Sequence, residues 1–132
     1  MSIKFNLVPR GNPGDVNAPK KFYATVKSDG KRNLNYLARR IADISTVSPI
    51  DTKAVLEALI MVVPEELADG KNVKLGDFGT FRVVASSEGV LTEDEFTTSK
   101  IKNVKISFTK GVKLKERINN FRFEKLPTQI KK

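Results

Sequence analysis

The chain has 132 residues and a formal net charge of +9, and it contains neither cysteine nor histidine. This length suits one domain with a small addition. The absence of cysteine and histidine excludes disulfides, thiolate zinc sites and cysteine or serine–histidine nucleophiles. Its amino terminus has no long apolar run, and no later segment approaches the ~20 apolar residues of a membrane span, so we expect neither a signal peptide nor a membrane helix but a cytoplasmic protein. These absences leave a carboxylate-only active site open. From the sequence as a whole we expect no enzyme activity and no catalytic residue, metal, cofactor, small-molecule substrate or membrane partner.

Charge is distributed unevenly along the chain. Residues 1–32 carry seven basic and two acidic groups, residues 100–132 carry eleven and two, and the middle is net acidic. Such asymmetry is typical of a surface that faces a polyanion. An ordinary solvated lysine-rich surface gives the same pattern, so charge alone leaves both interpretations open.

The first predicted elements are two strands. Alternating apolar residues over 3–7 predict one, and residues 21–26 predict another, with prolines and glycines marking the loop between them. Lys20 and Lys21 either extend a basic surface or protect a sheet edge with charge, and the sequence does not decide between these roles.

Two helices follow the strands. Asn33 is placed to cap a helix over 34–45, and Ser48 before Pro49 begins a second helix that Gly70 ends. The residues expected to face inward are Leu34, Leu37, Ile41 and Ile44 in the first helix and Ala54, Val55, Leu59 and Val62 in the second.

The second half of the chain predicts a sheet and a last helix. Strands are expected at 72–76 and 79–86, and the spacing of Thr92 and Glu95 matches a capping box, which predicts a helical turn over 93–99. The remaining pattern places Val104, Ile106 and Phe108 in a third strand, Leu114, Ile118 and Phe121 inward on a helix after Gly111, and Phe123 in a short terminal strand.

Two motifs carry a family resemblance. Residues 73–83 read Val-Lys-Leu-Gly-Asp-Phe-Gly-Thr-Phe-Arg-Val, and Phe108-Thr-Lys-Gly111 precedes the last helix. In this element order, the motifs resemble those of the bacterial histone-like family of HU and integration host factor over roughly 33–118. The added strands over 1–27 resemble those of a Bacteroides-type variant group with an amino-terminal extension.

The resemblance implies an α+β fold that forms an intertwined homodimer, or a heterodimer with a related chain. Two amino-terminal helices, a three-stranded antiparallel sheet and a carboxy-terminal helix would make up the DNA-binding domain over 33–118. Residues 1–32 would form an extra amino-terminal β element, and residues 119–132 a basic tail. The dimer core would be formed by Leu75, Phe78, Phe81 and Phe108.

The resemblance also implies the partner, double-stranded DNA. The expected role is that of a nucleoid-associated architectural protein that condenses DNA with little sequence specificity through phosphate contacts. Lys105 lies on the opposite side of its strand from Val104, Ile106 and Phe108, so it is free to meet phosphate. The predicted phosphate contacts are Arg82, Lys100, Lys102, Lys105, Lys110, Lys113, Lys115 and Arg117.

One segment departs from the family pattern. HU-like proteins bend DNA with a β-arm that carries arginines and a proline wedge, but residues 86–99 contain neither and carry four acidic groups. We therefore expect a compact turn that does not bend DNA by proline insertion. A scaffolding or protein-interaction dimer that kept the fold remains the alternative function. An RNA-binding variant also remains open, whereas catalysis by paired carboxylates has the least support.

Overall fold

The computed structural model describes residues 1–127, which group into two units. Residues 1–32 and the segment from Asn119 onward form the terminal unit, and Asn33–Ile118 form the central unit. In chain order the elements are β1 (Ile3–Arg10), β2 (Lys21–Lys27), α1 (Leu34–Asp43), α2 (Pro49–Ala68), β3 (Val73–Lys74), β4 (Gly79–Ser87), β5 (Ile101–Lys110), α3 (Val112–Ile118) and β6 (Phe123–Lys125).

The terminal unit is a three-stranded sheet in the order β2-β1-β6. β1 pairs antiparallel with β2 and parallel with β6, so that Ile3 lies beside Phe123. The Ile3 N–H donates to the Arg122 carbonyl at 2.7 Å, which fixes the start of the parallel pair. The predicted short terminal strand is thus present as β6, while residues 128–132 of the predicted tail lie outside the described residues.

The two helices of the central unit begin where their caps predicted. The Asn33 side chain accepts a hydrogen bond from the Tyr36 N–H at 2.9 Å, and the Ser48 hydroxyl accepts one from the Asp51 N–H at 3.1 Å. Each cap satisfies an N–H group that has no partner within its helix. The left-handed backbone of Gly70, at φ 81°, follows α2 and marks its end.

The buried helix faces differ from the prediction. Within residues 1–127, the only buried side chains are those of Ala38, Thr52 and Leu67, and Gly79, which has no side chain, is also buried. Most of the side chains predicted to face inward are exposed in the single chain. In α2 this is because the helix is apolar around much of its circumference and only one side of it packs on α1. The exposed fractions of these residues are 44% for Leu37, 36% for Ile41, 84% for Ile44, 65% for Val55, 38% for Leu59 and 48% for Val62.

The sheet of the central unit is antiparallel, as the family resemblance implied, and has the order β3-β4-β5, but the lengths of the elements differ from the prediction. β3 has only two residues, since the chain leaves the ladder at the Leu75 turn, and α3 ends at Ile118 and so does not include Phe121. The loop that joins β4 to β5, residues 88–100, is the hairpin end. It holds two short 3-10 turns, Glu93–Glu95 and Thr98–Lys100.

A β-bulge interrupts the β4–β5 pair between Val84 and Ser86. Asn103 adopts a positive φ of 54° there, and its side-chain amide donates to the Ser86 hydroxyl at 3.2 Å. Asparagine tolerates this left-handed conformation better than most residues. The bulge places one extra residue in β5, which changes the face on which the preceding residues lie.

Replacing Asn103 tests this backbone geometry. Asn103→Ala should lower the free energy of unfolding by about 1 kcal/mol, because alanine is disfavoured at positive φ. Asn103→Gly should cost less, since glycine adopts this conformation freely and both variants lose the same hydrogen bond. Urea unfolding followed by circular dichroism measures the difference. Equal stability of the two variants would contradict a left-handed residue at position 103.

Candidate nucleic-acid interface

The turn over residues 75–79, which we call the aromatic turn, brings Phe78 into a cluster with Phe81 and Phe108 on one face of the sheet. The Phe108 ring lies 4.9 Å from the Phe81 ring and 5.4 Å from the Phe78 ring, measured between centroids. A Cβ at Gly79 would come within 2.3 Å of the Phe108 ring, so only glycine leaves room for that ring. Phe78 and Phe108 nevertheless remain 50% and 38% exposed in the single chain.

The same turn holds the start of α3. The Phe78 carbonyl accepts a hydrogen bond from the Gly111 N–H at 2.8 Å, and the Asp77 carbonyl accepts one from the Lys113 N–H at 3.1 Å. A Cβ at Gly111 would approach the Asp77 carbonyl oxygen to 2.2 Å. The two motifs that were noted separately in the sequence therefore form one structural connection between the sheet and the last helix.

The opposite face of this sheet carries predicted phosphate contacts. Phe81 pairs with Phe108 and Val83 with Ile106, so these residues share the aromatic face. Arg82 and Lys105 occupy the alternate positions and lie on the other side, where Arg82 faces Ser107 and Lys105 faces Val84. Diagonal neighbours of this kind lie about 7–8 Å apart, within reach of two adjacent phosphates.

The bulge adds more lysines to this side of the hairpin. Lys102 and Lys105 are three residues apart and would face opposite ways in a regular strand, but the extra residue pairs Lys102 with Ser86. Ser86 shares its face with Arg82 and Val84. Past Ser86 in β4, the Glu88 N–H donates a hydrogen bond to the Lys100 carbonyl at 2.9 Å, and this pairing places Lys100 on the same side as Lys102. We call Arg82, Lys100, Lys102 and Lys105 the basic sheet face.

One acidic residue lies among these lysines. The Glu88 carboxylate forms an ion pair with the Lys102 ammonium, and both side chains are about half exposed. This pair neutralises one of the four cations in the free chain. The sequence indicated an acidic hairpin end but not this specific pairing, which depends on the shifted register of the bulge.

The other four predicted contacts lie elsewhere. Lys110 pairs with Gly79 and therefore belongs to the aromatic side of the sheet. Lys113 and Arg117 are one turn apart on α3, whereas Lys115 projects from a different side of that helix. All four side chains are exposed. The structure thus gathers half of the predicted set on one face and distributes the rest over two other surfaces.

The acidic hairpin end is a closed turn held by its own backbone hydrogen bonds. The Glu95 N–H donates to the Thr92 carbonyl at 3.2 Å, and the Lys100 N–H donates to the Thr97 carbonyl at 3.0 Å. The prediction of a capping box is wrong, because the Thr92 side chain accepts no capping hydrogen bond from the turn. Phe96, which lies in this turn, is 40% exposed.

The described part of the chain, residues 1–127, holds neither a metal-ligand cluster nor a membrane-spanning helix. No group of three or more histidine, cysteine, aspartate or glutamate side chains is arranged to hold a metal ion within residues 1–127. No helix in this range is long and apolar enough to cross a bilayer.

Several solved structures share the fold, and two of them show how far the likeness to this chain extends. One is a protein from Bacteroides vulgatus ATCC 8482, proposed to be a bacterial DNA-binding protein, with a TM-score of 0.65 and 20% identity over 98% of this chain. The present chain covers 51% of that protein, about half of its length. The other is HU from Anabaena in a cocrystal with DNA, with a TM-score of 0.52 and 21% identity over 66% of this chain and 97% of that one.

Sequence comparison identifies the family. None of the curated proteins matches the chain. A family model described as an HU domain fused to a wHTH, Ig, or glycine-rich motif matches residues 1–125, nearly the whole described range. The aromatic turn, the connection to α3 and the HU-like fold agree with that match. The chain therefore belongs to the family of HU domains fused to such motifs.

Proposed function

We propose that this protein is an architectural DNA-binding protein of the bacterial nucleoid or of a mobile element, located in the cytoplasm. Residues 33–118 act as its histone-like domain, and residues 1–32 are an added β element. The observation that carries the proposal is the basic sheet face, which presents three lysines and an arginine opposite an aromatic cluster. Family membership and the likeness to HU, which was crystallised with DNA, support it.

We infer that the functional unit is a dimer. Large apolar side chains of the central unit are exposed in the single chain, including Val55, Ile60 and Met61 on α2 and Phe78 beside the turn. Apolar surface of this extent is typical of a subunit interface. A second copy that covers α2 and the aromatic cluster accounts for it.

Phosphate neutralisation is the proposed mechanism of binding. A dimer presents the basic sheet face twice, and each lysine or arginine that replaces a counterion on a phosphate gains free energy from counterion release. Such contacts position the duplex without reading base edges, so we propose low sequence specificity. The hairpin end lacks proline and arginine, and the proposed mechanism therefore includes no proline-induced kink.

A salt series on duplex DNA tests the proposal. We expect a fluorescent duplex of about 30 base pairs to bind with a slope of log affinity against log salt of about −4 or steeper, because each neutralised phosphate contributes about −0.9. Fluorescence anisotropy between low and moderate salt measures the slope. Absence of binding at the lowest salt would overturn the DNA-binding proposal.

One observation favours a second candidate function. Glu88 already neutralises Lys102, and the acidic hairpin end beyond it repels phosphate, as expected of a scaffolding dimer that kept the fold and lost DNA binding. The same salt series separates the two functions. A dimer in sedimentation equilibrium that fails to bind duplex at low salt would be this scaffold.

A further inference from the structure

The sheet of the terminal unit has two chemically different faces. On one, Phe5 pairs with Val26 and Ile3 with Phe123, which gives an apolar surface. On the other, Lys4 pairs with Lys27, Arg10 with Lys21, and Val8 with Tyr23. In an antiparallel pair with one packed and one solvated face, the apolar face is the one that requires cover. The cationic face is then the one available to a ligand.

The cross-strand pairs of this face place like charges directly opposite each other. Lys4 faces Lys27 and Arg10 faces Lys21, at the separation where opposite charges stabilise a sheet and like charges destabilise it. Protection of the edge strand β2 requires lysines on β2 alone. It does not explain the cations that β1 places opposite them. Lys4 has a partner of its own in Glu124 on β6, but Arg10 has no acidic partner within residues 1–127, and an anionic ligand bound across both strands accounts for this cation.

Only one of these four cations has an acidic partner among the described residues, 1–127. Lys4 forms an ion pair with Glu124, whose pKa is lowered by the hydrogen bond from Lys4 and further by that from Ser2. Within residues 1–127, neither Lys21 nor Lys27 forms an ion pair. Arg10 extends over the Tyr23 ring, with its guanidinium carbon 5.9 Å from the ring centroid. Three cations without an acidic partner in residues 1–127 therefore lie on the face that carries Tyr23.

The dimensions and chemistry of this face fit a nucleic-acid strand. Lys21 and Lys27 lie at opposite ends of β2, about 20 Å apart at the rise of a strand, a distance that spans several nucleotides. Tyr23 lies between them and is 47% exposed, so a base is able to stack on it. In a duplex the bases are already stacked on one another, whereas an unpaired base is available to an aromatic ring.

We propose that the cationic face of the terminal unit binds single-stranded nucleic acid. Arg10, Lys21 and Lys27 contact its phosphates, and Tyr23 stacks on a base. This site is separate from the basic sheet face and does not depend on the proposed binding of duplex DNA. It gives the protein a surface for unpaired strands, a substrate that the proposed architectural role does not include.

Tyrosine fluorescence gives a local test, because the chain has no tryptophan and only two tyrosines. In a Tyr36→Phe variant of the full chain, Tyr23 is the only remaining tyrosine, so tyrosine emission reports on this site alone. Titration with a 15-nucleotide oligothymidylate at low salt should quench this emission by about half or more, through stacking. A 15-base-pair duplex at equal phosphate concentration should quench it far less. Absence of quenching by the single strand, or equal quenching by the duplex, would overturn the proposal.

Charge reversal in the Tyr36→Phe background provides a matched comparison. Lys21→Glu and Lys125→Glu both change an edge-strand lysine, but Lys125 pairs with Phe5 and so lies on the apolar side. Lys21→Glu should weaken the single-strand affinity about fivefold or more and make the salt slope shallower by about 0.7. Lys125→Glu should change the affinity by less than about twofold, since it removes no phosphate contact.

Thermal unfolding separates this loss from damage to the fold. The carboxylate introduced by Lys21→Glu would face Arg10, so the variant should unfold no earlier than the parent protein. Weaker binding together with undiminished stability supports a ligand site. Equal weakening by both substitutions would instead indicate a general charge effect and would contradict the proposed face.

Discussion

Gly79→Ala should strongly destabilise the central unit. The added methyl carbon would lie 2.3 Å from a Phe108 ring carbon and 2.6 Å from the Thr109 carbonyl oxygen, and both distances are far inside van der Waals contact. Because one of the two obstacles is backbone, rotation of a side chain does not relieve the overlap. We expect the free energy of unfolding to fall by about 3 kcal/mol, the upper end for overpacking.

Thermal and urea unfolding of this variant measure the loss. Gly89→Ala is the matched control, since a Cβ at Gly89 meets no atom within 4 Å and should change stability by less than about 0.5 kcal/mol. Combining Gly79→Ala with Phe108→Leu should cost less than the sum of the single changes, because the smaller side chain removes one of the two overlaps. A Gly79→Ala protein as stable as the parent would contradict the packing of Phe108 over the turn.

Lys105→Glu should strongly reduce duplex binding, and by more than Lys102→Glu. Lys105 is exposed and forms no ion pair within residues 1–127, whereas Lys102 is already paired with Glu88. In the proposed dimer the change acts twice and removes two phosphate contacts. The salt slope should become shallower by about 2, and the affinity near 0.15 M salt should fall about 30-fold or more.

Lys110→Glu provides the control for Lys105→Glu. Lys110 lies on the same strand and is also exposed, but its pairing with Gly79 places it on the aromatic side of the sheet. Anisotropy titrations of both variants against one duplex, with circular dichroism to verify folding, make the comparison. If Lys110→Glu weakens binding as strongly as Lys105→Glu, phosphate contacts are not confined to the basic sheet face.

Local sequence signals predicted much of the fold. Ser48 and Pro49 determine the start of α2 because the cap and the first-turn proline act within one helical turn, and the structure has the helix beginning at that proline. This signal depends only on neighbouring residues, so pattern alone was sufficient. The packing of Phe81 and Phe108 at the aromatic turn was instead expected from the family resemblance of the motifs.

Other features depend on partners that are distant in sequence. The face of α2 that packs on α1 was not predictable, because apolar residues cover most of that helix and several sides are equivalent in the sequence. The alignment of Lys102 with Arg82 requires the bulge at Asn103, and no residue pattern marks a single extra residue in a ladder. The like-charge pairs between β1 and β2 depend on strand register, which alternation alone does not specify.

The parallel pairing of β1 with β6 has a consequence for how the protein is made. Lys4 and Glu124 are 120 residues apart, and the whole central unit lies between them in the chain. At a synthesis rate of about 5–20 residues per second, β1 leaves the ribosome roughly 6–24 s before its third-strand partner. A two-stranded hairpin is at best marginally stable in water. The central unit is therefore able to fold first, and the terminal sheet is completed only after β6 has been translated.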